Sequence, residues 1–72
     1  MENRKVTQKD IKFGKNLAKV RKKCGITQEK LSELTGLSTT FIGLIETGKR
    51  KPRLETLRKI ASALKVNIKD LF

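Results

Sequence analysis

The chain lacks histidine, has a single cysteine and a single proline, and is short of acid: 7 Asp and Glu stand against 18 Lys and Arg. Each shortage excludes something. One cysteine, Cys24, cannot close an internal disulfide. One Cys without His cannot build a Cys/His metal site. No apolar run reaches the roughly 18 residues that a membrane span needs. The first ten residues, Met1 to Asp10, are polar and hold no apolar signal-peptide segment, so a cytoplasmic location is expected. Enzyme chemistry is poorly served. There is no Cys or Ser nucleophile with a base, and Glu29, Glu33, Glu46, Glu55 and Asp70 lie scattered among Lys and Arg. No cofactor, metal or small-molecule ligand is expected.

What is there fits one small domain spanning residues 1–72, with residues 1–7 as a basic N-terminal arm. A core this small rarely supplies more than ~3–5 kcal/mol without staples or oligomerisation. Covalent staples being excluded, self-association is expected to help. The net charge of +11 predicts a polyanionic partner, nucleic acid before an anionic membrane.

The apolar residues recur at helical spacing. Ile11, Leu17 and Ala18 form one stripe, with Phe13, Leu17, Val20 and Cys24 beside it. Leu31 and Leu34 mark a second segment, and Ile42 and Ile45 a third. Leu54, Leu57, Ile60, Ala61 and Leu64 mark a fourth. Nothing alternates with period two for long enough to make a strand. Gly25, Gly36 and Gly48 each follow a periodic segment, where a helix end favours positive φ. Thr27 and Ser38 are N-cap residues, and Thr7 with Asp10 makes a capping-box pattern. Pro52 breaks the chain before the fourth segment. The pattern predicts helices at about 8–23, 27–35, 38–47 and 54–64, then a short helical turn at about 68–72. This is an all-α chain. The second and third helices are separated only by a tight glycine turn, which predicts a steep crossing and a helix-turn-helix at about 27–47.

Three stretches then carry a resemblance: Gly25-Ile26-Thr27-Gln28-Glu29-Lys30-Leu31, Thr35-Gly36-Leu37-Ser38, and Phe41-Ile42-Gly43-Leu44-Ile45-Glu46-Thr47-Gly48-Lys49-Arg50-Lys51-Pro52 with Leu54-Glu55-Thr56-Leu57. Together they resemble the phage-repressor and Cro type of helix-turn-helix domain, the XRE-like family, over about residues 10–72. The resemblance implies a compact five-helix, lambda-repressor-like domain that binds double-stranded DNA as a homodimer. It implies that Thr39, Thr40, Gly43 and Leu44 read bases. It gives phosphate contacts to Gln28, Ser38, Lys49, Arg50 and Arg53. It pairs Glu46 with Arg21; an acid near a helix C-terminus opposes the helix dipole and needs a partner.

Departures from the pattern are informative. Ser32 stands where Ala is common. Arg53 stands where a capping Ser is common, exchanging a cap for a charge. The reading face has short Thr hydroxyls and a Leu in place of Arg, Gln or Asn, so discrimination should lean on thymine-methyl contacts and DNA shape. Gly43 costs roughly 1 kcal/mol within a helix relative to Ala, a cost consistent with a close backbone approach to DNA. Phe41 is expected to pack under the preceding helices, and Cys24 to act as a small core or boundary hydrophobe.

Val66, Ile68, Leu71 and Phe72 either close the monomer core or form the dimer surface; the sequence leaves both open. Three functions compete. A transcriptional regulator, most simply a repressor on a pseudo-palindromic operator, ranks first. A protein-interaction or antitoxin-like module ranks second. A cationic membrane-surface peptide ranks last, because capped, glycine-punctuated helices suit mutual packing. The pattern suits either a stand-alone regulator, as in phage and restriction–modification control, or the N-terminal piece of a longer protein. Charge is distributed unevenly: residues 1–23 carry nine positive and two negative side chains, residues 24–47 one and three, and residues 48–72 eight and two. Flanks should therefore grip phosphates while a nearly neutral helix meets the bases. The salt dependence of binding should report far fewer than eleven charges.

Overall fold

The computed structural model describes residues 6–72; most of the basic arm expected at 1–7 lies outside them. Four α-helices follow one another: α1 (Gln8–Lys23), α2 (Gln28–Thr35), α3 (Thr39–Glu46) and α4 (Leu54–Leu64). A 3₁₀ turn at Ile68–Leu71 follows α4. No strand occurs among the described residues. The fifth helix expected from the resemblance is thus not an α-helix. The segment is a four-residue turn, and the tighter 3₁₀ ladder serves such short pieces. Asp70 holds its start, its carboxylate accepting from the Asn67 N–H at 3.0 Å.

Local chemistry sets the other boundaries. Thr7 Oγ1 accepts from the Asp10 N–H at 3.1 Å, and Asp10 Oδ2 accepts from the Thr7 N–H at 3.2 Å, a reciprocal capping box. Thr27 caps α2 by accepting from the Lys30 N–H, and Ser38 caps α3 by accepting from the Phe41 N–H. Gly36 ends α2 in the left-handed conformation, φ 79°. Lys65 takes the same role after α4 with φ 58°, a position where the sequence offers no glycine. At Arg53 the start of α4 has no side-chain cap. Arg53→Ser is expected to stabilise the fold by about 1 kcal/mol by restoring one. Denaturant unfolding checks it, an unchanged midpoint counting against it.

The core gathers Leu17 from α1, Leu31 from α2, Ile42 and Ile45 from α3, and Leu57, Ile60, Ala61 and Leu64 from α4. Leu71 completes it from the 3₁₀ turn, fully buried. Of the periodic stripes, Leu34 and Leu54 reach well into solvent, 48% and 56% exposed. Each sits in a terminal turn of its helix. Cys24, expected in the core or at its boundary, is not in the core. It is exposed just past α1, its thiol pointing at the Leu64 carbonyl at 3.7 Å.

Glycine brings α1 onto α3. A Cβ on Gly14 would lie 2.4 Å from the Glu46 carbonyl oxygen and 2.6 Å from that of Ile45. Only a hydrogen fits there. Gly48, φ 80° and buried, lets the loop after α3 lie against Asp10 and Ile11 in the first turn of α1. α1 therefore touches both the end of α3 and the loop that follows it.

Candidate nucleic-acid interface

The turn joining α2 to α3 is three residues, Gly36–Ser38. Side chains lock it. Ser32 Oγ donates to the Leu37 carbonyl, while Thr35 Oγ1 donates to the Leu31 carbonyl and accepts from the Leu37 N–H. The serine standing where alanine is common thus ties helix to turn.

From this turn α3 divides cleanly. Ile42 and Ile45 point inward and are fully buried. Thr39 and Thr40 are exposed, and Gly43 and Leu44 half-buried. Thr47, seven residues after Thr40 and so on nearly the same face, extends the exposed strip. Its hydroxyl donates to the Gly43 carbonyl at 3.0 Å. Helical spacing from Thr40 is the signal that identifies it. Ser38 Oγ accepts from Phe41 N–H, which leaves the hydroxyl hydrogen to donate outward.

Below this face lies a polar cluster. Arg21 Nε donates to Glu46 Oε2 at 2.7 Å and Nη2 to Oε1 at 3.2 Å, a forked pair. Arg21 Nη1 reaches the Ile26 carbonyl at 2.8 Å. The paired side chains are only 8% and 7% exposed. Gln28 Nε2 donates to Glu46 Oε1 at 2.9 Å, a bond the sequence does not announce. The amide retains a second N–H and a carbonyl for other partners. A half-buried Gln28 therefore sits between the ion pair and the exposed strip of α3, close to Gly43.

The basic loop is fixed to α3. Lys49 and Arg50 both donate backbone N–H bonds to the Leu44 carbonyl, at 2.9 and 3.2 Å. The Arg50 guanidinium lies 5.3 Å from the centroid of the Phe41 ring, a cation–π contact. Phe41 meanwhile packs against the core. Lys49, Arg50, Lys51 and Arg53 are all exposed beside the end of α3.

The remaining residues named from the sequence separate. Leu71 is enclosed in the monomer. Val66 and Ile68 are partly buried against the core. Phe72 is 71% exposed and rests on Phe13, ring centroids 4.8 Å apart. Among the described residues, no helix is long and apolar enough to cross a membrane.

A short locked turn, a capped second helix with an uncharged outer face and a basic loop tied to its end define a helix-turn-helix domain. The helix-turn-helix family model HTH_3 matches residues 17–71, and the chain belongs to that family. Its relatives are transcriptional regulators and restriction–modification controller proteins. Control protein C.MunI of a Mycoplasma species is 38% identical over 63 residues, covering 86% of this chain and 85% of its own. An HTH-type transcriptional regulator, y4dJ, of Sinorhizobium fredii is 36% identical over 58 residues, covering 81% and 75%. The crystal structure of the restriction–modification controller protein C.AhdI from Aeromonas hydrophila superposes with a TM-score of 0.88 at 35% identity. That match covers 92% of this chain and all of the other.

Proposed function

We propose that this protein is a sequence-specific transcriptional regulator, in the simplest case a repressor, that binds a pseudo-palindromic operator as a homodimer through α3. The observation that carries the reading is the partition of α3: two isoleucines spent on the core, an uncharged outer strip, and a basic loop hydrogen-bonded to its end. Thr39, Thr40, Gly43 and Leu44 meet base edges, and Leu44 suits a thymine methyl. Ser38, Gln28, Lys49, Arg50 and Arg53 hold phosphates from the two sides. Two copies place their α3 helices in successive major grooves about 34 Å apart. Of Val66, Ile68, Leu71 and Phe72, Leu71 is enclosed in the monomer and Phe72 lies against Phe13, so the dimer contact is assigned to Val66 and Ile68.

Selection of bound sequences from a random duplex pool tests this reading. Two inverted half-sites, spaced by about one helical turn, are expected. A pool without an enriched motif would overturn it. Gly43→Ala probes the approach of α3. A Cβ there meets only Gln28 Nε2, at 4.0 Å, so the fold tolerates it. Stability should rise by about 0.5–1 kcal/mol, while operator affinity falls because the methyl stands between backbone and groove. Unchanged affinity in a gel-shift titration would remove Gly43 from the interface.

A further inference from the structure

Away from the exposed strip of α3 the surface holds a cleft of about 740 Å³ between α1, the basic loop and the C-terminal residues. Phe13, Pro52, Leu57 and Phe72 supply apolar lining. Lys9, Lys12, Lys15 and Lys19 rim it from α1, and Arg50 and Lys51 from the loop. Asp10 is the single acid in the lining, and its carboxylate is engaged in the α1 cap. Two of the chain's three phenylalanines pack together here with tilted rings, one of them 71% exposed. Phe72 is nonetheless held. Asn16 Nδ2 donates to its carbonyl and to that of Asp70, both at 3.2 Å.

We propose that this cleft docks an acidic segment of another protein, anchored by one bulky apolar side chain on Phe13 and Phe72. Charge complementarity names the occupant. Six cations around an apolar floor match carboxylates flanking a hydrophobe. Nucleic acid alone would match the rim but leave the aromatic floor without a counterpart. A bilayer needs a protruding apolar face, and this one is concave. A second copy in two-fold pairing would bring the same six cations against themselves. The proposal does not rest on the reading of α3: of the six rim cations only Arg50 is also assigned to phosphate, and the four lysines of α1 are assigned to neither bases nor phosphates.

The probe is a fluorescein-labelled helical peptide of Glu and Ala with one central Leu, titrated against the full chain by fluorescence anisotropy. Replacing that Leu with Ala is expected to weaken binding about tenfold. Phe72→Ala should weaken the Leu peptide to a similar extent and leave the Ala peptide unchanged. The double variant Lys12→Glu with Lys15→Glu should weaken both peptides. Excess duplex DNA should leave the difference between the two peptides in place. Equal affinity for the two peptides would overturn the proposal, showing attraction by charge alone. So would complete displacement by duplex DNA, which would make the cleft part of a phosphate surface. A free protein that sediments as a dimer and dissociates on Phe72→Ala would overturn it in favour of a second copy. Should Phe72→Ala fail to fold, the two peptides on the unaltered chain still decide.

Discussion

Gly14→Ala is expected to destabilise the protein by about 2–3 kcal/mol, close to the whole margin of a domain this small. Helix propensity alone argues the reverse, since Ala in a helix interior is better than Gly by about 1 kcal/mol. Packing wins because of what the methyl would meet. All three of its nearest atoms, at 2.4 to 2.7 Å, are backbone atoms of Ile45 and Glu46. No rotamer change relieves a clash with a carbonyl, so α1 must lift from the end of α3. That movement would disturb the Arg21–Glu46 bonds as well, since Glu46 is part of the contact. Chemical unfolding followed by circular dichroism, with Gly43→Ala as the companion variant, makes the test. The two alanines should shift the midpoint in opposite directions. A Gly14→Ala variant as stable as the parent would show that the helices are less closely seated than the structure has them.

Arg21→Met is the second large effect, a loss of about 3–5 kcal/mol. The substitution keeps the aliphatic length and removes the guanidinium. Glu46 then keeps only the Gln28 amide, its carboxylate enclosed with 7% of the side chain exposed. The Ile26 carbonyl loses a donor too. Lys22→Met, one residue along on the exposed surface, should change stability by no more than about 0.5 kcal/mol. Equal thermal midpoints for the two variants would sink the pairing as a source of stability. Adding Glu46→Met to Arg21→Met should recover part of the loss, because removing both charges spares the orphaned one.

The contrast between these effects and the helix boundaries shows what a sequence exposes. The starts of α1, α2 and α3 were legible because a cap is a bond between residues three apart, as at Thr7, Thr27 and Ser38. Gly36 and Gly48 were legible because positive φ is a local demand. Gly14 was not, for its reason lies more than thirty residues away in the carbonyls of α3. Gln28 is similar: its spacing gives a helix start, but its bond to Glu46 exists only once α3 is docked. Periodicity also placed Leu34 and Leu54 in stripes that the ends of α2 and α4 carry out to solvent. It could not separate a core-closing Leu71 from an exposed Phe72, adjacent residues that the 3₁₀ turn sends to opposite surroundings. Of the candidate interface, the exposure of Thr39 and Thr40 followed from the pattern that buries Ile42 and Ile45. The cation–π contact that seats Arg50 on Phe41 had no local signature.

The partition of α3 has a bearing on how such a domain diversifies. Thr39 and Thr40 are exposed and lie outside the core cluster. Surface positions of this kind accept substitution at little cost to stability, usually within about 0.5 kcal/mol. Successive generations of the gene can therefore exchange these two side chains without first acquiring a compensating change elsewhere. Ile42 and Ile45, one helical step inward, allow no such drift. The same eight-residue helix thus joins an inheritance that must be conserved to a vocabulary that is free to change.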